Sequence, residues 1–414
     1  MIFLHFILIR TMVGVVCLFP LRWLARRLKP GPRARLWRSV ALHVANKHGR
    51  PPPKTPVGVT QSGKPLDLLL VSDALFPERG GGTRSLMQAA RRFMSAGWNV
   101  AGVCHGSERR KFNVGGMEVH WIPELGELDD LVTSLAVRRM AIQQIWAPAA
   151  AQIARARGVP YWYFVRSTEE LVGNIPPASD ESQLIAGVRA TAAAGQRASR
   201  AVLGAERIIA NSKFMARLTR DGLGREAHVL YPEVDEPMPW EQRRDPIARC
   251  IVAVATTKKK GVDIMIQLAR SFPGEQFLIC GLKPLTRYKT RQLTDPVLKN
   301  IVPVGRLPTP ATYALAKLVL VPSQWPEPFG RVNAEAVLRG IPVLASHVGG
   351  VSEIITDESL LISDFTNAEA WAKRLGELTD RRALDATRPA MLTCAATYAA
   401  LMEQNRAVIA ELTK

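Results

Sequence analysis

Cysteine is scarce in this sequence, and its arrangement excludes two kinds of site. Five cysteines (Cys17, Cys104, Cys250, Cys280 and Cys394) are scattered over 414 residues without a C-x-x-C pair, and no histidine stands near them at metal-ligand spacing. We therefore expect neither a disulfide framework nor a zinc site, and a reducing, cytoplasmic compartment fits best. Signatures of RNP, zinc-finger or helix-turn-helix type are also missing, so we expect no nucleic-acid partner.

Acidic residues are missing from the start of the chain. None occurs before Asp67, whereas twelve basic residues lie between Arg10 and Lys64. The whole chain has 55 Lys and Arg against 36 Asp and Glu, a net charge of +19, so most of the basicity belongs to a leader segment. The longest uncharged apolar run there, residues 11–21, is shorter than the ~20 residues that span a bilayer.

The leader has two further features of a membrane-binding segment. Its basic residues follow the apolar run, which is unlike a secretory signal. After Pro32, Leu36, Trp37, Val40 and Val44 recur at helical spacing among arginines, a pattern typical of a basic amphipathic helix on an anionic membrane surface; the alternative is a helix packed on the protein. We predict that residues 1–64 are a membrane-associating leader and linker at the inner face of the membrane. Three interpretations of residues 1–21 stay open: they span the membrane, they lie on it, or they precede the true start of translation.

The rest of the chain alternates short apolar runs with helical patterns, which is typical of doubly wound parallel α/β sheets. We predict an N-terminal Rossmann-like domain at 65–236, a second at 240–392 and a C-terminal helix at 393–414, with a proline-rich hinge at 231–239. The predicted strands are Leu66–Ser72, Trp98–Cys104, Met117–Ile122, Gln144–Trp146, Tyr161–Arg166, Arg207–Asn211, Cys250–Thr256, Gln276–Cys280, Asn300–Val304, Leu318–Pro322, Ile341–Ala345 and Leu360–Ile362.

A glycine-rich loop follows the first predicted strand. Gly80, Gly81 and Gly82 stand before a helical pattern, where small residues let the backbone approach a ligand and helix amides suit an anion. The loop lacks the third glycine of a dinucleotide fingerprint, and the second strand ends without the acid that would hold a ribose. A nicotinamide dehydrogenase is therefore disfavoured.

The segment 318–353 carries the most specific pattern. A predicted strand ends at Ser323, the following loop carries Glu327, and Gly330 opens a helix that presents Glu335. Two carboxylates eight residues apart, with helix N-terminal amides between them, can bind the sugar and the ribose of a nucleotide sugar while the amides take its phosphates.

This segment strongly resembles the E-x7-E region of the retaining glycosyltransferases of family 4, which have the GT-B fold of two Rossmann-like domains facing a cleft. The match comprises Glu327-Pro-Phe-Gly330, Glu335-Ala-x-x-x-Gly-Ile-Pro-Val and Gly349-Gly350-x-x-Glu353, and it extends to the Gly80–Gly82 loop and to Lys260-Gly261. The resemblance covers most of the chain after residue 66 and excludes the leader.

The resemblance implies the roles of individual residues. It places Glu327, Lys260 and Arg166 in catalysis and Gly80, Gly81 and Gly82 at the acceptor or a phosphate. The residues that it implies for donor binding are Glu335, Gly330, Phe329, Arg331, Ser323, Gly349, Gly350 and Lys259. The implied reaction is hexosyl transfer from a nucleotide sugar to a glycan or lipid-linked acceptor, with retention. We expect no cofactor, and no metal because Asp-x-Asp is absent.

Two positions depart from the family pattern. Ala255 occupies the place of an arginine that grips the donor diphosphate together with the lysine, and Lys258 or Lys259 could supply that cation instead. Arg166 occupies a place where the family often has histidine. Two alternatives to a transferase stay open. One is a sugar-nucleotide epimerase, which resembles the same two-domain architecture; the other is a non-catalytic protein that binds nucleotide sugars and has lost the diphosphate arginine.

Overall fold

The computed structural model describes residues 65–78, 80–173, 180–234, 249–254, 257–280, 300–303 and 313–414. The leader and most of the hinge lie outside the described residues, so the predictions made for them are not addressed by the structure. None of the described helices is long and apolar enough to cross a membrane.

The described residues before 235 form one α/β unit around an eight-stranded sheet. Its strands are β1 (Leu68–Val71), β2 (Val100–His105), β3 (Arg110–Val114), β4 (Met117–Ile122), β5 (Met140–Ile142), β6 (Tyr161–Val165), β7 (Arg207–Ala210) and β8 (His228–Val229). Its helices are α1 (Gly81–Ser95), α2 (Glu127–Ser134), α3 (Ala147–Ala156), α4 (Glu169–Val172), α5 (Glu181–Ala193), α6 (Arg197–Leu203) and α7 (Lys213–Leu223). The strand order is β3-β4-β2-β1-β5-β6-β7-β8, and the β3–β4 pair is antiparallel while the other described pairs are parallel.

Residues from 249 onward form a second unit around a six-stranded sheet of order β11-β10-β9-β12-β13-β14. Its strands are β9 (Cys250–Ala253), β10 (Gln276–Ile279), β11 (Ile301–Pro303), β12 (Ala316–Val321), β13 (Val343–Ser346) and β14 (Leu361–Ile362). Its helices are α8 (Val262–Ser271), α9 (Arg331–Val337), α10 (Ala368–Glu377), α11 (Arg381–Ala386) and α12 (Arg388–Leu412).

Both sheets are buried on their two faces, which explains the continuous apolar runs of their strands. In β1, Leu69 and Val71 pack in one hydrophobic cluster while Leu68 and Leu70 pack in another. Because successive side chains of a strand point to opposite faces, each face of the sheet has a core of its own. The predicted class of two parallel-sheet α/β units is confirmed.

One predicted strand was wrong, and two short strands were not predicted. Residues Gln144–Trp146 form a single 3-10 turn instead of a strand, and the strand is β5 just before it; Gln144 has a positive φ of 61° and Ile145 is 80% exposed. Strand β3 was not predicted, because this antiparallel edge strand is largely exposed and lacks an apolar run. The two-residue β8 also escaped prediction.

Helix α12 joins the two units. It begins at Arg388, five residues before the predicted start at 393. Its first half packs on the second unit through residues such as Tyr398, while Ile409 near its end belongs to a core cluster of the first unit. The Asn405 side chain bonds both the backbone N–H and the C=O of Tyr231, at 2.8 and 2.9 Å. The helix therefore ties down the segment where the chain leaves the first unit.

Candidate active site

A cavity of about 280 Å³ lies between the two units and is lined by both. We call it the interdomain cavity. The lining residues used below are Gly81, Gly82, Ser85, Arg166 and Asn211 of the first unit and Lys260, Ser323, Trp325, Glu327, Phe329, Gly330 and Arg331 of the second. Several of them follow directly on the carboxyl ends of β6, β7 and β12, which is where open parallel sheets bind ligands.

The Glu327 carboxylate is held by three side chains of the described cavity lining. Lys260 Nζ lies 2.9 Å from its Oε1 and 2.6 Å from its Oε2. The Ser323 hydroxyl and the Trp325 indole N–H both donate to Oε2, each at 3.0 Å. The Lys260 ammonium also lies 4.9 Å from the centre of the Trp325 ring. The structure thus brings together Lys260, Glu327 and Ser323, which the sequence placed in one site.

Lys260 reaches this position because the chain turns sharply behind it. Thr257 caps the short 3-10 helix Lys258–Lys260 through a bond from the Lys260 N–H. Gly261 then adopts a positive φ of 74°, and a Cβ there would lie 1.9 Å from the Pro322 carbonyl oxygen. Glycine is therefore required where the lysine turn touches the loop after β12.

The neighbouring lysines do not share this position. Lys259 Nζ pairs with Glu169 of the first unit at 3.0 Å and is about half exposed. Lys258 is exposed, and neither residue is among the described residues that line the interdomain cavity. Ala255 lies outside the described residues.

Arg331, which was expected at the donor, makes contacts across the cleft. Its Nη1 donates to the Ser85 hydroxyl at 3.4 Å and to Gln88 Oε1 at 3.2 Å, and it also contacts the Glu233 carbonyl oxygen. Its Nη2 lies 3.7 Å from Glu335 Oε1. Arg331 therefore links the first turn of α9 to the glycine-loop helix α1 of the first unit.

Glu335 is more enclosed than its predicted place in an open cleft implies. It is 9% exposed and accepts a hydrogen bond from the Tyr313 hydroxyl at 2.9 Å. Burial and this carboxylate raise the pKa of Tyr313 well above its ordinary value. Glu335 is not among the described residues that line the interdomain cavity. It lies one helical turn after Arg331, and its side chain faces Tyr313. Its role at the ribose stays a prediction.

Phe329, Gly349 and Gly350 shape the loop that carries Glu327. Phe329 is buried and its ring lies 5.8 Å from that of Tyr231. The Gly350 N–H donates to the Glu327 carbonyl at 2.8 Å, and a Cβ on Gly349 would lie 2.3 Å from that same oxygen. Of these three residues only Phe329 is found in the described lining. The two glycines instead pack against the backbone of the loop that carries Glu327. Gly330 begins α9 with a positive φ of 86°.

On the first unit, the cavity wall consists of the glycine loop and Arg166. Gly81 and Gly82 line the cavity, whereas Gly80 is not among the described lining residues. Arg166 is 6% exposed, its Nε donates to Gln143 Oε1 at 3.3 Å, and its guanidinium carbon lies 4.7 Å from the centre of the Phe164 ring. Burial lowers the pKa of Arg166 to about 10, so the side chain remains cationic at neutral pH.

Glu353 connects the two units in a way that the sequence did not reveal. Its two carboxylate oxygens accept the backbone N–H groups of Lys213 and Phe214 at 2.9 and 2.8 Å, and Tyr231 donates its hydroxyl at 2.9 Å. These N–H groups open helix α7, so the acid of one unit caps a helix of the other. The G-G-x-x-E pattern marked this glutamate, but its partners lie about 140 residues away in sequence.

Within the described ranges, no group of three or more His, Cys, Asp and Glu side chains is arranged to hold a metal ion. His347 pairs weakly with Glu358 and Ser363, and it is outside the described lining of the interdomain cavity.

The second unit is similar to known sequences. Residues 241–389 match the family model described as glycosyl transferases group 1. A D-inositol 3-phosphate glycosyltransferase from Salinispora tropica is 45% identical over 84 residues, which are 20% of this chain and 16% of that protein. The chain spans less than a fifth of the length of curated relatives such as this one.

Solved structures match over both units. A sucrose-phosphate synthase from Thermosynechococcus elongatus superposes with a TM-score of 0.66 at 17% identity, covering 84% of this chain and 98% of that one. HepE from Anabaena in complex with UDP-glucose gives a TM-score of 0.62 at 17% identity, covering 84% and 99%. These likenesses show the fold: the chain has the GT-B fold, as its resemblance to that class predicted.

Proposed function

We propose that this protein is a glycosyltransferase that moves a hexosyl group from a nucleotide sugar to a glycan or lipid-linked acceptor, with retention of configuration and without a metal. The observation that carries the proposal is the Lys260–Glu327 ion pair inside a cavity between the two units of the GT-B fold. It lies in the segment that matches the group 1 glycosyl transferase model.

The pair suits the charge changes of the reaction. In the proposed complex the Lys260 ammonium leaves Glu327 for the donor diphosphate, where negative charge grows as the glycosidic bond breaks. The Glu327 carboxylate, still held by Ser323 and Trp325, then accepts hydrogen bonds from hydroxyls of the transferred sugar. In this proposal Glu335 binds the nucleotide ribose, with Tyr313 and Arg331 holding its carboxylate in place.

The two units have separate tasks in the proposal. The second unit binds the donor, and the first presents the acceptor along Gly81 and Gly82, which leave room for a ligand beside the wall. Closure of the units through Arg331 and Glu353 excludes water that would hydrolyse the donor. The complex of HepE with UDP-glucose supports a nucleotide sugar as the donor class.

In this proposal the protein acts at a membrane surface. Twelve basic residues and no acid before Asp67 favour binding of residues 1–64 to an anionic leaflet, at about 1 kcal/mol per basic residue near the surface. Deleting residues 1–50 should release the protein from vesicles that contain phosphatidylserine and preserve transfer to a soluble acceptor. If the shortened protein still pellets with these vesicles as well as the full chain does, the membrane site lies elsewhere.

The function is tested in two steps on the full chain. Nucleotide sugars are screened for thermal stabilisation, since a ligand at 100 times its dissociation constant adds about 2.7 kcal/mol to stability. The stabilising donor is then incubated with and without acceptor glycans, and the products are analysed by NMR for linkage and anomeric configuration. A new sugar nucleotide formed without acceptor would indicate an epimerase, and binding without turnover would indicate a non-catalytic protein.

A further inference from the structure

The guanidinium of Arg166 is a buried charge in the wall of the interdomain cavity without an ion-pair partner among the described residues. The residue is 6% exposed, and its Nη2 atom is buried without a hydrogen-bond partner there. Burying a charge is unfavourable unless it is paired and hydrogen-bonded. An unpaired cation at a cavity wall can bind an anionic group of a ligand.

The surroundings of Arg166 are polar but supply little negative charge. Its hydrogen bond goes to the neutral amide oxygen of Gln143, and its flat face lies over Phe164. The carboxyl group of Glu170 accepts the Arg166 backbone N–H at 3.2 Å instead of the guanidinium. Burial raises the pKa of Glu170 to about 7, so this carboxyl group is only partly ionised at neutral pH.

The other charged groups of the described lining have ion-pair partners, although Arg331 Nη2, like Arg166 Nη2, is buried without a hydrogen bond. Lys260 pairs with Glu327, and Arg331 lies beside Glu335. Arg166 is thus the one cation of the described lining that lacks a carboxylate partner. It stands on the first unit, across the cavity from Lys260, and a second unpaired polar atom, Asn211 Oδ1, lies on the same wall.

Gly82 lies beside Arg166 in the lining of the interdomain cavity. A Cβ added to Gly82 would lie 2.9 Å from Gln144 Nε2 and 4.0 Å from Arg166 Cβ. Any larger residue at position 82 would therefore crowd the wall in which Arg166 lies. The guanidinium fork binds carboxylate and phosphate groups through two parallel hydrogen bonds, which a point charge does not match.

We infer that Arg166 binds a carboxylate or phosphate group carried by a sugar substrate, so that the enzyme prefers an anionic sugar as donor or acceptor. This inference rests on the proposed function, because it assumes that sugars occupy the interdomain cavity. The two sources of the anion share one chemistry and are separated by experiment.

The test uses two matched pairs of probes on the full chain. UDP-glucose and UDP-glucuronate differ by a carboxylate on the donor sugar; glucose and glucose 6-phosphate, added with and without saturating UDP, differ by a phosphate on the acceptor. Dissociation constants are measured by calorimetry for wild type, Arg166→Gln and Arg166→Lys, with Arg200→Gln as the control at an exposed arginine of the same unit. Near-ultraviolet circular dichroism verifies that each variant is folded.

The expected result is that wild type binds the anionic member of one pair at least about tenfold more tightly, which is a difference of about 1.4 kcal/mol. Arg166→Gln should abolish this preference and change the affinity for UDP less than about twofold, Arg166→Lys should retain part of it, and Arg200→Gln should retain all of it. Equal binding of neutral and anionic probes in both pairs, or a preference that survives in Arg166→Gln, would overturn the inference.

The same measurements distinguish failure of this inference from failure of the proposed function. If UDP and both UDP sugars do not bind while glucose 6-phosphate binds in an Arg166-dependent way, the anion site stands and the proposed donor is wrong. If UDP-glucose binds and reacts without any Arg166-dependent preference, the proposed transferase stands and the anion site is wrong.

Discussion

Lys260 Nζ lies 2.6 Å from Glu327 Oε2, so the cation proposed for the donor diphosphate is held by the acid proposed for the donor sugar. Each group keeps the other neutralised in a site that is partly shielded from water, with exposed side-chain fractions of 35% and 12%. Donor binding therefore requires an exchange of partners, in which the diphosphate takes the lysine and the sugar hydroxyls take the carboxylate.

Replacing Lys260 by alanine should lower turnover by about 100-fold, the cost of removing one group that stabilises transition-state charge. Affinity for the nucleoside without phosphates should change little, because the ammonium is proposed to contact only the diphosphate. Steady-state kinetics and calorimetry check this, with Lys373→Ala, at an exposed lysine of helix α10 in the same unit, as the control. Near-normal activity of Lys260→Ala would move the role to Lys258 or Lys259.

Substituting Gly261 by alanine should destabilise the protein by more than about 2 kcal/mol. The left-handed conformation alone costs an L-residue about 1–2 kcal/mol, and the new Cβ would also collide with the Pro322 carbonyl. Gly274→Ala is the matched control, since a Cβ there meets nothing within 4 Å. Chemical denaturation measures both variants, and equal stabilities would contradict the packing described around Lys260.

The Glu353→Gln substitution should weaken the contact between the units. The neutral amide loses the charge-assisted bonds to the first turn of α7, which are worth about 1.5–3 kcal/mol each when buried and less at this half-buried position. We expect a lower melting temperature and a larger radius of gyration in small-angle scattering. Glu358→Gln, whose side chain is 77% exposed, serves as the control. An unchanged scattering profile would show that other contacts hold the units together.

Glu170 should make stability fall as the pH rises from about 4.5 to 7. Burial raises its folded-state pKa from 4.5 to about 7, so in this window the folded protein binds a proton that the unfolded chain has released. Stability is thus greatest below the unfolded pKa and is lost as the pH rises through the folded one. Each pKa unit corresponds to about 1.4 kcal/mol, and we expect a total loss on the order of 1–3 kcal/mol for this residue, whose side chain is half-buried with one carboxylate oxygen enclosed.

The measurement compares wild type with Glu170→Gln by denaturation between pH 4 and 8. The variant should be the more stable protein at pH 8, and the difference should shrink towards pH 4. Glu169→Gln, at an adjacent residue that pairs with Lys259, is the control for replacing a glutamate of this helix. A constant difference across the range would mean that Glu170 titrates normally.

The local content of the sequence was enough to predict most of the strands. Runs such as Leu68–Val71 and Cys250–Ala253 are buried on both faces, so their apolar character is continuous and can be recognised without a partner. Strand β3 has no such run because one edge and much of its surface face solvent. Ile145 and Trp146 are apolar, but the chain turns at Gln144, which has a positive φ, and no local pattern indicated that turn.

The sequence by itself determined the fold class and the set of motifs that meet at the cavity, because parallel strands bring their carboxyl ends to one edge and place Lys260, Ser323 and Glu327 together. Only the tertiary structure decided what each residue contacts. Arg331 reaches the first unit, Glu353 caps α7 from across the cleft, and Arg166 is left with a buried guanidinium that has no carboxylate partner within the described residues. Such contacts join residues up to 246 positions apart, and they depend on how the two sheets face each other, which short-range periodicity does not encode.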